Sequence, residues 1–150
     1  MSAKEVLEAL QIINGGIDGV ATAPLKMPGS IQPRELPLVL SYPSEATATN
    51  ASFRHLQEPR EWIIRLYVRE VGAGRGWNAG FHEALGFLAR FRDEYTTQGH
   101  TDNDAWDCLD YLGDGGVTQM GLHGNTMQDT ARYWTVEFRV EVTTFVASEA

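Results

Sequence analysis

The chain has a single cysteine, Cys108, in 150 residues, so no disulfide can form within it. It has no run of about 18 apolar residues, and no segment is expected to span a bilayer. The opening Met1-Ser2-Ala3-Lys4 lacks the apolar run of a secretory signal and leads into a charged amphipathic stretch, which points to synthesis in a reducing cytoplasm. Basic residues are scarce too. Twelve Lys and Arg stand against twenty Asp and Glu, for a formal charge of −8. That is the wrong sign for a surface that neutralises phosphates over a wide area. The remaining composition, 43% hydrophobic and 21% charged, excludes a disordered or collagenous chain. The length suits one domain, able to bury about two-thirds of the surface its extended chain would expose.

Two periodicities then divide the chain. Ser2 and Glu5 have capping-box spacing, Val6, Leu7, Leu10 and Ile13 share a helical face, and Asn14-Gly15-Gly16 supplies a stop. This predicts a short helix over 3–13. Pro24, Pro28, Pro33 and Pro37 with Gly29 make the next stretch a surface connector, because each proline fixes φ and removes a donor. The apolar run 36–43 between two prolines reads as a first strand. Residues 44–57 are Ser, Thr, Ala and Asn with few apolar anchors, a loop. Trp62, Ile64, Leu66 and Val68 alternate with Arg65, Tyr67 and Arg69, so 61–71 is a half-buried second strand.

Over 77–98 the period changes to three and four. Phe81, Ala84, Leu85, Leu88, Phe91 and Tyr95 face inward, and Glu83, Arg90, Arg92 and Glu94 face outward on the main helix. Gly99 ends it. Residues 100–116 read as an acidic, Gly-rich loop around one helical turn at 106–112, followed by a weaker strand at 117–123. The segment 130–147 alternates again, with Trp134, Val136, Phe138, Val140 and Val142 on one side and Thr135, Glu137, Arg139 and Glu141 on the other. Unbroken, it would exceed ~50 Å, so a bend, a bulge or an overhanging end is expected. The order α, β, β, α, β, β and the retained polar faces predict an α+β fold. Its mostly antiparallel sheet of about four strands carries two main helices on one face.

Motifs with chemistry fare poorly. Gly74-Arg75-Gly76-Trp77-Asn78-Ala79 has the letters of a dinucleotide fingerprint. However, the strand before it is one-sided, and Asp93 or Glu94, at the right distance, lies inside a helix; a strand-to-helix turn is the better reading. No Lys-Ser or Lys-Thr follows, which excludes a P-loop. Asp102-Asn103-Asp104-Ala105-Trp106-Asp107 starts like a calcium loop, but Trp106 takes a ligand position and the glycine is absent, so a solvated acidic loop is expected. His55, His82, His100 and His123 are too dispersed for zinc. Cys108 has no local group that would activate it and reads as a small core or loop thiol. No G-x-S-x-G elbow or framed carboxylate pair is present, so catalysis finds no support and no cofactor is implied.

One arrangement stands out. If strands 61–71 and 130–147 are neighbours, Arg65 and Arg69 face Glu137 and Glu141 as cross-strand pairs. They make either an intrachain ladder or a charged face that docks a neighbouring copy of the chain.

Taken together, the helix at the amino end, the Pro-flanked strand 36–43, the alternating strand 61–71, the central helix 77–98, the Gly-rich acidic loop and the strand Tyr133-Trp134-Thr135-Val136-Glu137-Phe138-Arg139-Val140-Glu141-Val142 resemble the tail terminators of tailed bacteriophages. The resemblance covers nearly the whole chain and rests on the pattern of elements. It implies a homohexameric ring that caps the tail tube, ends tail polymerisation and offers an attachment surface to the head. It implies no enzyme activity. The partners would be other copies of the chain, the major tail tube protein and the head connector or neck protein. DNA would pass through the channel without specific binding, and no membrane is involved. The place would be the head-proximal end of the virion tail, reached from the host cytoplasm. On that resemblance the exposed strand residues Arg65, Arg69, Glu137, Arg139 and Glu141 are candidates for the subunit interface. The loops 44–60 and 99–128, with His55, Asp102, Asp104, Asp114 and His123, are candidates for tube and neck contacts. A head–tail joining protein of the same fold is the close alternative. A small dimeric ligand-binding protein is the distant one, with Trp62, Trp77, Phe81 and Trp134 lining a pocket instead of a core.

Overall fold

The computed structural model describes residues 3–44, 57–71, 77–121 and 132–145. Two helices, α1 (Ala3–Gly15) and α2 (Trp77–Gln98), accompany four strands, β1 (Leu38–Pro43), β2 (Gln57–Glu70), β3 (Cys108–Met120) and β4 (Tyr133–Phe145). The strands form one sheet in the order β1-β2-β4-β3, with every neighbour antiparallel. This is the α+β architecture predicted from the alternation. The strand preceding the 74–79 glycines is antiparallel to both of its neighbours, the opposite of what a dinucleotide fold requires. The capping residue Ser2 and residues 74–76 lie outside the described residues, as do the ends of the expected 130–147 strand.

The main core lies between the sheet and the helices. Trp62, Ile64, Leu66 and Val68 of β2 and Trp134, Val136, Phe138, Val140 and Val142 of β4 all point to it and are buried. Each such side chain contributes about 1.5–3 kcal/mol relative to exposure. Helix α2 meets them with Ala84, Phe87, Phe91 and Tyr95. The Phe91 and Phe138 rings stack with centroids 4.4 Å apart. The expected inward Leu85 is instead 40% exposed, and Phe87 takes its place at 1%. Both positions satisfy a three-and-four spacing, and only the packing direction of the helix separates them. At its start α2 comes so close to the sheet that a Cβ on Gly80 would lie 2.5 Å from Cδ1 of Trp134.

A second, smaller cluster occupies one end of the opposite sheet face. Leu36, Leu38, Leu40, Tyr67 and Tyr133 are buried there, with Ile31 packed against them. Tyr67, expected on a solvated face, is fully buried. The cause is the proline-rich connector, whose 3-10 turn at Pro33–Glu35 leads into Leu36 of this cluster.

The largest correction concerns 100–120. The expected helical turn at 106–112 is absent. Residues from Cys108 onward belong to β3, which pairs with β4 from Cys108↔Thr143 to Met120↔Tyr133, so the weak strand expected at 117–123 is the end of a longer one. Glycines and aspartates disfavour strands locally. Here the β4 ladder overrides that preference, and the glycines sit at irregularities between Tyr111 and Gly113 and between Asp114 and Val117. Gly113 and Gly116 have φ of 131° and 76°, which a residue with a Cβ rarely adopts. The irregularity expected along the last strand is thus carried by its partners, with a further bulge on β2 between Tyr67 and Arg69. The expected loop 44–60 is likewise shortened, since Gln57 already pairs with Phe145.

Candidate functional site

The sheet face away from the helices is where the sequence placed its interface residues. Helix α2 and the core fix the inward side of β2 and β4, so strict alternation sends Glu61, Ile63 and Arg65 of β2 and Glu137, Arg139 and Glu141 of β4 to the other side. Arg65 is directly opposite Glu137, as expected. Its Nε and Nη2 both donate to Oε1 of Glu137, at 2.8 and 2.6 Å, and the two side chains are 19% and 21% exposed. The guanidinium also lies over the Tyr42 ring, 5.3 Å from its centroid. Burial opposes the Arg65 charge, but hydrogen bonds to Tyr67 and Glu137 outweigh it and raise the pKa above its ordinary value. Burial likewise pushes the Tyr42 phenol up, partly offset by Arg65.

Arg69 departs from the expected ladder. The bulge makes Tyr67 oppose Thr135 and Arg69 oppose Trp134, so the alternation slips by one residue. Arg69 therefore pairs with neither Glu137 nor Glu141. Its Nε and Nη2 donate to Glu83 of α2 at 2.9 and 3.1 Å.

Glu141 pairs with neither arginine. Its neighbours in the ladder are Glu61 on β2 and Asp110 on β3, a row of three carboxylates across three strands. Arg139 tempers it, its Nη1 donating to Oε1 of Glu61 at 2.6 Å. Asp110 and Glu61 were not singled out from the sequence. Asp110 lay inside the misread helical turn, and Glu61 becomes informative only once the register sets it beside Glu141.

The loop candidates separate. Asp102 and Asp104 are exposed in the turn after α2, where Oδ1 of Asn103 accepts the Ala105 N–H at 2.8 Å and Trp106 is buried at 3%. Asp114 lies on β3, not in a loop, and its Oδ1 accepts the Gly116 N–H at 2.8 Å. His55 and His123 lie outside the described residues. Cys108 is exposed on β3, neither core nor loop. Its thiol pKa is raised by burial, Asp110 and Glu141, which disfavours the reactive thiolate. Among the described residues no three His, Cys, Asp or Glu side chains are grouped to hold a metal ion.

Sequence reasoning also missed a buried polar network. Asn14 Nδ2 donates to Gln11 Oε1 and Ser41 Oγ, at 2.8 and 2.9 Å, and the Ser41 hydroxyl donates to Gln11 Oε1 at 2.8 Å. Gln11 Nε2 donates to the carbonyls of Pro24 and Val39, and the Tyr95 hydroxyl donates to Asn14 Oδ1. The signal was present: Gln11 and Asn14 sit at helical spacing beside the apolar stripe of α1. An open groove of about 410 Å³ lies elsewhere, lined by residues including Ile31, Arg34, Leu36, Arg69 and Tyr133; of the aromatic residues suggested for a pocket, Trp62 and Trp134 are core.

No protein-family model matches the chain, and no curated protein matches it in sequence.

Proposed function

We propose that the chain is a structural protein of a tailed-bacteriophage tail, a terminator whose six copies form a ring on the tail tube. The ring stops tube polymerisation and presents a surface to the head connector. The observation that carries this reading is the sheet face away from the helices, which beyond the small Leu36–Tyr133 cluster is polar and charged. Arg65–Glu137, Arg139–Glu61 and the carboxylate row extend over that face, and such charge sets register between docked surfaces more than affinity. No reaction is catalysed in this role. The charge of −8 per chain becomes −48 in a ring of six, and an acidic channel repels DNA and lets it slide.

The test is to mix the purified chain with tail tubes that lack a terminator and to image them. Density at one end of each tube and a halt in tube growth support the role. Tubes that stay bare and continue to lengthen overturn it.

A further inference from the structure

The two lateral margins of the sheet differ in chemistry. At the β1 margin the backbone edge is closed from within the chain at Pro37 and Val39. The Thr22 carbonyl accepts the Val39 N–H at 2.9 Å, and the Pro37 carbonyl accepts the N–H groups of Ala21 and Thr22. Gln11 takes the Val39 carbonyl. The strap that closes it leads into Leu25 and Met27, 52% and 50% exposed, and Ile12 of the adjoining α1 is 77% exposed. Between Asp18 and Glu35 this strap carries Lys26 and Arg34 and no acid.

The β3 margin is the reverse. Between Arg92 and Arg132 the sequence has no Lys or Arg, and Asp102, Asp104, Asp107, Asp110 and Asp114 are all exposed on β3 or the turn before it. Leu112, 53% exposed, supplies an apolar side chain among them. A contact of this edge with its own copy would set aspartates against aspartates, which is destabilising. Contact with the strap sets aspartates against Lys26 and leucine against Leu25 and Met27.

We infer that the β3 edge of one copy docks against the 20–27 strap of the next, a head-to-tail contact between opposite margins of the sheet. It rests on the ring reading and specifies its interface. Heterologous contacts of this kind close into rings when the rotation allows. Because the β1 backbone edge is already bonded at Pro37 and Val39, where the strap crosses it, the contact there is made by side chains and not by strand addition. The carboxylate Glu141 lies beside Asp110 and adds to the acidic half.

The experiment uses two full-length variants, an edge variant (Asp110→Arg, Asp114→Arg) and a strap variant (Leu25→Asp, Lys26→Glu), with analytical ultracentrifugation of each alone and of the mixture. Each variant alone should self-associate at least about tenfold more weakly than the parent. The mixture should regain association, beginning with a two-chain species of twice the 16.6 kDa chain mass, since each copy keeps one parental margin and the reversed charges of the other two margins are opposite in sign. Parent-like assembly of either variant, or a mixture without the two-chain species, overturns the contact even where the parent forms rings of six. A mixture that regains association, with a parent that forms open chains or rings of another size, keeps the contact and overturns the ring of six. Thermal melts confirm folding. Should either double variant unfold, Leu112→Lys and Met27→Glu replace them under the same criteria.

Discussion

The Tyr95 hydroxyl, in the last turn of α2, donates a hydrogen bond to Oδ1 of Asn14 on α1, 81 residues away in sequence. Both residues are fully buried. Through Asn14 the bond reaches Gln11, Ser41 and the β1 edge, so one chain of satisfied polar groups ties both helices to the sheet. Removing the hydroxyl leaves the Asn14 acceptor buried and unpaired, at a cost of about 1–3 kcal/mol. Tyr95→Phe should lower stability by that amount in urea unfolding, and Asn14→Leu by more, because it leaves the buried Tyr95 hydroxyl without its acceptor and takes one donor each from Gln11 and Ser41.

The same phenol gives a pH dependence. Burial holds the Tyr95 pKa well above its ordinary value of 10.0, and Tyr42 and Tyr111 are also raised, first by burial. A raised folded pKa means the folded state keeps its proton where the unfolded state loses it. Stability from these groups is therefore fully present below about pH 10 and declines as pH rises above it. Urea unfolding between pH 8 and 11 should show that fall, and Tyr95→Phe should make it shallower. An equal slope in the variant contradicts the assignment.

Gly80 and Trp134 set the spacing of α2 on the sheet, since a Cβ at Gly80 would overlap the indole. Gly80→Val should destabilise by about 1–3 kcal/mol through overpacking. Trp134→Ala and Phe138→Ala, at 5% and 0% exposure, should each cost about 3–5 kcal/mol. Thermal or urea melts check all three, and a variant that melts like the parent reverses its burial assignment.

The carboxylates of the open face should now behave differently from one another. Glu137 is held by Arg65, so Glu137→Lys sets two half-buried cations together and should lower stability. Glu141 is flanked by Glu61 and Asp110, so Glu141→Lys relieves like-charge repulsion and should leave stability unchanged or slightly higher. Its effect should appear in assembly instead, as weaker ring formation by native mass.

The elements with a sustained period were legible in the sequence. Trp62 to Val68 and Trp134 to Val142 alternate because one sheet face is buried, and 77–98 keeps a helical period across six turns. What escaped depended on partners distant in sequence. Cys108 to Gly116 looks like a loop by composition and becomes a strand because β4 offers a ladder. A single bulged residue moved Arg69 from the charged face to Glu83, and no local pattern announces a bulge. Leu85 and Phe87 compete for one inward direction, which only the docked helix decides. At the candidate surface, Arg65–Glu137 was visible because both strands alternate cleanly, whereas the Glu61–Glu141–Asp110 row needed the register of three strands.

The most direct test of the proposed ring is native mass spectrometry over a wide concentration range, with negative-stain images of whatever assembles. Six copies of the 16.6 kDa chain, about 99.6 kDa, with an open centre and decoration of one end of the tail tube, is the expected result. A closed dimer at every concentration, with tubes left undecorated, contradicts it.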